Sequence, residues 1–297
     1  MKNIPDFLYN ILLKEYEKKH VDDIINGFKI KNTTLRVNTI KSNIYEIKEI
    51  LDKNNIKYRN VSFYNNALII EKDNEYDIKK LDIYKKGHIY LQSLSSMIPP
   101  IILQPCENDR ILDMAAAPGG KTCEIACLTN NNAFITAIEK NKVRFDRLKH
   151  NIDMQGVKKC TVINTDSRKL DDLFRFDKIL LDSPCSGSGT LNCNNINNFT
   201  QELVNNSIKL QEELLNKALK LLKPGSTMVY STCSILKEEN EYILNKMLNK
   251  FDISIISINK EIFKDIPLLP VTIEGTICIC PTELYEGFFI AKIKKNS

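Results

Sequence analysis

The chain has 297 residues, 43% of them hydrophobic, and a formal net charge of +5. That is room for one large α/β domain, or for a large and a small one. No stretch approaches the ~18–20 apolar residues that span a bilayer. The opening MKNIPDFLYNILLKEYEKK is broken by Asp6, Lys14 and Glu15, so neither a secretory signal nor a transit peptide is expected, and the chain reads as soluble and cytoplasmic.

Residues 1–30 read as helical, with apolar positions at Phe7, Leu8, Ile11 and Leu12 and again at Ile24, Ile25 and Phe28. Residues 34–39 alternate like a strand, 43–54 repeat at helical spacing through Ile44, Ile47, Ile50 and Leu51, and 61–70 return to strand character. This β-α-β order predicts a small N-terminal α/β module over 1–85, with the charged 71–85 as its connection to a second domain at 86–297. Residues 1–90 hold 17 Lys/Arg against 13 Asp/Glu, an excess that suits phosphate attraction and equally a solvated surface.

From about residue 107 strands and helices alternate. Strands are expected at 110–114, 133–139, 160–166, 176–182 and 227–232, and helices at 121–129, 142–155 and 201–222, with Gly225 as the stop of the last. A further helix is expected from about Lys237, with Glu238 and Glu239 at its positive end. Strands follow at 253–258, 276–280 and 288–293. Repeated β-α units predict a parallel, doubly wound, Rossmann-like sheet. LNCNNINNF at 191–199 reads as a mobile loop.

The expected strands end on Asp113, Glu139, Asp166 and Asp182, and the strand near 230 runs into Cys233. C-terminal strand ends of a parallel sheet share the edge where ligands bind. One acidic strand end is ordinary helix capping, but four in succession are hard to assign to caps alone. The first turn, AAAPGGKT at 115–122, is neither GxGxxG nor a P-loop, yet its small residues let backbone approach a ligand closely. Glu139, 26 residues beyond Asp113, stands where a carboxylate can hold both ribose hydroxyls. A cationic nucleoside fits these features, and S-adenosylmethionine is one. A nucleotide-binding α/β fold of another kind is the competing reading.

Nine cysteines without framework spacing read as free thiols of a reducing compartment, and no second pair at zinc-finger spacing points to a metal. Two of them stand apart: Cys185 in DSPCSGSG (182–189) and Cys233 in STCS (231–234). Free cysteine is often a buried core residue. At polar strand ends on a ligand edge, however, a thiolate is a strong nucleophile.

LDMAAAPGGKT, ILLDSPCSGSG and VYSTCS resemble, in order and spacing, three motifs of the Sun-type RNA 5-methylcytosine methyltransferases. The resemblance extends to GHIYLQSLSSMIPP (87–100), KLQEELLNKALKLLKPG (209–225), EENE (238–241) and GFFIAKIKK (287–295), and is greatest to the compact archaeal tRNA members. It implies that Cys233 attacks carbon 6 of cytosine, that Asp182 hydrogen-bonds the ring near nitrogen 3, that Cys185 assists loss of the carbon-5 proton and release, and that Lys121 positions the base. It implies a cofactor set in which Ala115, Ala116, Ala117, Pro118, Gly119, Gly120 and Lys121 hold the methionine part of S-adenosylmethionine, Glu139 the ribose and Asp166 the adenine. Arg144 completes that set, and Asp182 lies near the reactive end. The N-terminal module resembles the family's small RNA-recognition-like domain, without an RNP-type aromatic signature, and no additional RNA-binding domain such as a PUA module is expected.

The sequence departs from the family at Ala115, where a non-catalytic Cys is common, at Met154 and near Cys278, where Arg is frequent, and at Thr282, where His is frequent. The departures other than Ala115 bear on the RNA recognised, with tRNA favoured and rRNA as the alternative. A DNA cytosine methyltransferase is disfavoured by Cys233 and by the lack of a large insertion after the Pro-Cys loop. A non-catalytic RNA-binding factor is disfavoured by intact Cys185, Cys233, Asp182 and Lys121.

Overall fold

The chain opens with two helices, α1 (Asp6–Glu15) and α2 (Lys18–Gly27), that turn Leu8, Leu12, Val21 and Ile24 fully out of water. Each such side chain contributes about 1.5–3 kcal/mol of burial. The computed structural model describes residues 4–71 and 75–297. Its packing separates two compact units, Met1–Lys31 with Leu170–Ser297, and Asn32–Lys169. The helical reading of 1–30 therefore holds as two helices, but they pack in the unit that contains the C-terminal half. Periodicity shows that a helix buries a face and not which partner covers it. No compact-unit boundary falls at residue 85, and residues 72–74 of the expected charged connection lie outside the described residues.

The Asn32–Lys169 unit begins with β1 (Thr34–Val37), α3 (Ile44–Lys53), β2 (Lys57–Asn60) and β3 (Ala67–Glu71). Asn43 caps α3, its side chain accepting the Tyr45 and Glu46 N–H groups. Then come α4 (Glu75–Lys80), α5 (Asp82–Lys85), β4 (Ile89–Leu91) and α6 (Leu94–Leu103). The four strands form an antiparallel sheet in the order β2-β3-β1-β4, over a core that includes Leu35, Val37, Ile47, Leu51, Leu68 and Ile78. The strand expected at 61–70 is β3 alone, since 61–66 are turns. The charged stretch 75–85 folds as α4 and α5, with Lys79–Glu75 and Lys86–Asp82 pairs four residues apart.

The unit continues with β5 (Arg110–Asp113), α7 (Gly120–Leu128), β6 (Phe134–Ile138), α8 (Lys142–Gln155) and β7 (Cys160–Ile163). Pairings β5–β6 and β6–β7 are parallel, as the β-α order required. Helix α8 spans the predicted residues, capped by the Asn141 side chain on the Arg144 N–H and ended at Gly156 in the left-handed conformation.

The other unit resumes with β8 (Phe176–Asp182), α9 (Gln201–Leu221), β9 (Leu222–Thr232), α10 (Glu241–Lys250), β10 (Ile253–Ile256), β11 (Leu268–Leu269), β12 (Ile277–Ile279) and β13 (Phe288–Lys295). Strands β8 and β9 run parallel, but β13 is antiparallel to β9, β10 and β12. The 8 residues between β12 and β13 are too few for a parallel crossover of about a dozen. Gly225 is not a helix stop: α9 ends at Leu221, and Gly225 lies at φ +76° inside β9. The stretch 191–199 is tethered, with Ile196 and Phe199 buried and Phe199 stacked on Phe7 at 5.7 Å between ring centroids. Among the described residues no helix is long and apolar enough to cross a membrane.

Candidate active site

In the C-terminal unit, the parallel register sets Asp182, the last residue of β8, opposite Ser231 near the end of β9. The loops that leave these two strands therefore start side by side. They bring Cys185 Sγ to 3.1 Å from Cys233 Sγ, both partly buried, and all nine cysteines are free thiols. The Ser231 hydroxyl donates to Asp182 Oδ1 at 2.8 Å. The two loops thus bring Cys233, Cys185 and Asp182 to neighbouring positions.

Two backbone bonds lock the loops, Ser183 N–H to Ser231 O at 2.8 Å and Gly189 N–H to Cys233 O at 3.0 Å. Gly189 is required by close approach, because a Cβ there would stand 2.0 Å from the Gly287 carbonyl oxygen. The Cys185 thiol is pushed well above its usual value by its hydrogen bond to Cys233, by burial and by the nearby charges of Cys233 and Glu239.

Behind the sulfurs lies a group that the strand-end argument missed. Glu239 was expected at the positive end of a helix. Instead 237–239 form a short turn, α10 starts at Glu241, and Glu239 is fully buried. Its carboxylate accepts from the Ser186 N–H, the Ser186 and Ser234 hydroxyls and Gln211 Nε2. EENE supplied the signal, but an acidic pair before a helix reads as a cap until the fold turns one member inward.

In the Asn32–Lys169 unit, β5 ends on Asp113, β6 stops one residue before Glu139, and β7 stops at Ile163, so Asp166 lies in the loop three residues beyond it. Asp113 is buried and accepts the Thr122 hydroxyl at 2.7 Å, so it ties the loop to the first turn of α7. Glu139 is 4% exposed, and its Oε1 accepts the Asn141 N–H at 2.7 Å. Arg144 Nη1 lies 3.7 Å from the other carboxylate oxygen, while Nη2 donates to the Ala117 carbonyl at 2.7 Å. Arg144 is thus a strut between the loop and Glu139. Asp166 is gripped by the Arg168 side chain and N–H, whose hydrogen bonds lower its carboxyl to about 2.

The loop Ala115, Ala116, Ala117, Pro118, Gly119 is held from outside. Ala116 N–H donates to Ile138 O at 2.9 Å, Asn151 Nδ2 donates to Pro118 O at 2.8 Å, and Gly119 turns at φ +109° into Gly120 at the start of α7. Lys121, one residue on, donates to the Ser96 hydroxyl at 2.5 Å. These residues fit S-adenosylmethionine. Small side chains leave backbone within reach of a ligand, and the Glu139 carboxylate has acceptor sites beyond the Asn141 bond for a ribose diol. Of the departures, Cys278 is buried in β12 and the Thr282 hydroxyl closes a turn by accepting from Leu284 and Tyr285 N–H. Met154 lies in an open groove of about 830 Å³ with Tyr84, Tyr90, Arg147 and His150.

The family model described as 16S rRNA methyltransferase RsmB/F matches residues 100–294, which carry both motif sets. The chain belongs to this family. The family is S-adenosylmethionine-dependent, and the fold is its Rossmann-like methyltransferase fold. A 28S rRNA (cytosine-C(5))-methyltransferase of Mus musculus is 31% identical over 98% of this chain and 39% of its own length. A tRNA (cytosine(72)-C(5))-methyltransferase of Pyrococcus horikoshii is 37% identical over 73% of this chain and 55% of its own. The chain thus spans less than two thirds of these relatives. The crystal structure of a methyltransferase homologue from Pyrococcus horikoshii superposes with a TM-score of 0.78 at 30% identity, covering 98% of this chain and 100% of that one.

Proposed function

We propose that the protein methylates carbon 5 of cytosine in RNA through a covalent adduct between Cys233 and the base. The observation that carries this reading is the pair of free thiols 3.1 Å apart beside Asp182. Carbon 5 of cytosine is a poor nucleophile, and addition of a thiolate to carbon 6 makes it an enamine carbon that can accept a methyl cation equivalent. S-adenosylmethionine supplies that methyl as a sulfonium.

Cys233 forms the bond to carbon 6. Asp182 hydrogen-bonds the ring near nitrogen 3 and stabilises the charge that develops there. After transfer the carbon-5 proton leaves with help from Cys185, the carbon 5–carbon 6 double bond re-forms and the Cys233–carbon bond breaks. Lys121 positions the base. The 115–121 loop, Glu139, Asp166 and their brace Arg144 hold the cofactor. Of the expected 1–85 module, the part from β1 to α5 is our candidate RNA-binding surface, where β2 exposes Lys57 and Arg59.

The RNA is most simply a tRNA, a reading supported by the 37% identity to the archaeal tRNA enzyme. An rRNA is the second reading, supported by the family description and by the mouse relative. Incubation with labelled S-adenosylmethionine and RNA from cells lacking the gene should yield 5-methylcytidine, and bisulfite sequencing should place it in tRNA. Label in rRNA alone selects the second reading, and label in no cytidine rejects both.

A further inference from the structure

We propose that Glu239 is the positioning residue of the thiol pair, holding Cys185 and Cys233 at their working separation by accepting hydrogen bonds from the residue that follows each cysteine. The inference rests on the reading of Cys233 as nucleophile and Cys185 as release thiol. The two sulfurs stand on separate loops beyond the last paired residues of β8 and β9, so the sheet ladder does not fix their distance. Glu239 spans both loops. Its Oε1 accepts the Ser186 N–H at 2.7 Å, and its Oε2 accepts the Ser186 hydroxyl at 2.5 Å and the Ser234 hydroxyl at 2.6 Å. Gln211, buried in the middle of α9, donates through Nε2 to Glu239 Oε1 at 3.2 Å and to the Pro184 carbonyl at 3.0 Å.

Proton bookkeeping makes the network directional. Ser234 has one hydroxyl proton, and Glu239 takes it. The 2.8 Å contact between Ser188 and Ser234 must then run from the Ser188 hydroxyl to Ser234 Oγ, which also accepts the Leu236 N–H at 3.2 Å. Every donor converges on Glu239, so an ionised carboxylate satisfies the set and an amide does not. Burial raises the Glu239 carboxyl above its ordinary value, and the serine and glutamine donors oppose that rise by favouring the charged form. The same buried charge favours the protonated form of Cys185.

Glu239→Gln keeps the size and loses the charge, and it places an N–H donor against a Ser234 oxygen that already has two donors. The full chain is assayed with RNA from cells lacking the gene. Expected are a near-normal single-turnover methyl transfer, steady-state turnover lower by about a hundredfold, the scale of an ångström-sized misplacement, and a covalent enzyme–RNA species that accumulates on denaturing gels. Phenylarsine oxide reads the geometry without RNA: two thiols and the arsenoso group give a dithioarsinite and water. Peptide mapping should find it bridging Cys185 and Cys233 in the wild type, about tenfold more slowly in Glu239→Gln.

An unchanged bridging rate, or single-turnover and steady-state rates that fall together, overturns the positioning role. If Glu239→Gln does not fold, Ser186→Ala and Ser234→Ala each remove one donor and must give the same split. A wild type that is bridged by arsenic but transfers no labelled methyl to cytosine in any RNA would sink the methylation reading and leave the geometric role standing.

Discussion

Two fully buried glutamates, one in each unit, are stabilised by opposite means. Glu124, in the Asn32–Lys169 unit, accepts from Gln92 Nε2 at 2.9 Å and lies 3.8 Å from the buried Arg36 guanidinium, while its Oε1 has no hydrogen-bond partner. Burial outweighs the cation and raises its carboxyl to about 8. Glu239 has no cation beside its carboxylate in the bonds described. It is held by hydroxyl, amide and backbone donors that belong to the thiol loops and to α9. One carboxylate is committed to binding β1 to α7. The other is committed to the residues that follow Cys185 and Cys233. Burial alone therefore does not tell a scaffold charge from a working one; the identity of the donors does.

The largest effect expected from breaking this contrast is on stability. Arg36→Ala removes the buried guanidinium and its bonds from β1 to Gln92 and the Gly120 carbonyl, and should cost about 3–5 kcal/mol in denaturant unfolding. A cost under about 1 kcal/mol would mean that Arg36 is not what holds β1 to α7. Next, Glu139→Ala should remove the proposed ribose acceptor and weaken S-adenosylmethionine by about 1.5–3 kcal/mol in calorimetry, the range for hydrogen bonds to a charged group, while arsenical bridging of the thiols stays at the wild-type rate. Loss of bridging in that variant would merge the two regions that the comparison keeps apart. Gly189→Ala drives a Cβ against the Gly287 carbonyl and should destabilise by about 1–3 kcal/mol, slowing bridging as well because Gly189 carries the bond to Cys233 O.

The smallest effect concerns Glu15, whose Oε2 accepts the Lys237 N–H at 3.0 Å just before Glu239. Burial raises its carboxyl from 4.5 to about 7. Below pH 4.5 both folded and unfolded chains carry the proton and there is no penalty. Between 4.5 and 7 the unfolded chain has lost a proton that the folded chain retains, so stability falls as pH rises, and the loss is complete above 7. Glu15→Gln should therefore gain on the order of 1 kcal/mol at pH 8 and nothing at pH 4. Melting curves at the two pH values check this, and a gain at pH 4 would contradict the assignment.

The parallel β-α-β units and the two Cys-bearing strand ends were legible because strand polarity and chain order force successive C-terminal ends onto one edge of each strand set. That logic places Cys185, Cys233 and Asp182 on one edge. Other features were hidden for physical reasons. Strand β2 is four largely exposed residues without alternation, and α6 carries Pro99 and Pro100 within a helix, a pairing that local propensity argues against. The antiparallel β13 is set by a short connection whose consequence appears only once its strands are located. Asp113 turned out to face Thr122, the capping role that the four acidic strand ends had seemed to outnumber. Glu239 is hardest to read, because inward rotation of one residue in EENE depends on Ser186, 53 positions away in sequence, as well as on nearby Ser234.

The division of labour between the thiols is the central claim, and a denaturing gel of enzyme incubated with S-adenosylmethionine and RNA tests it most directly. Cys185→Ala should accumulate a covalent enzyme–RNA band and Cys233→Ala should show none. A band in Cys233→Ala and none in Cys185→Ala would reverse the two roles.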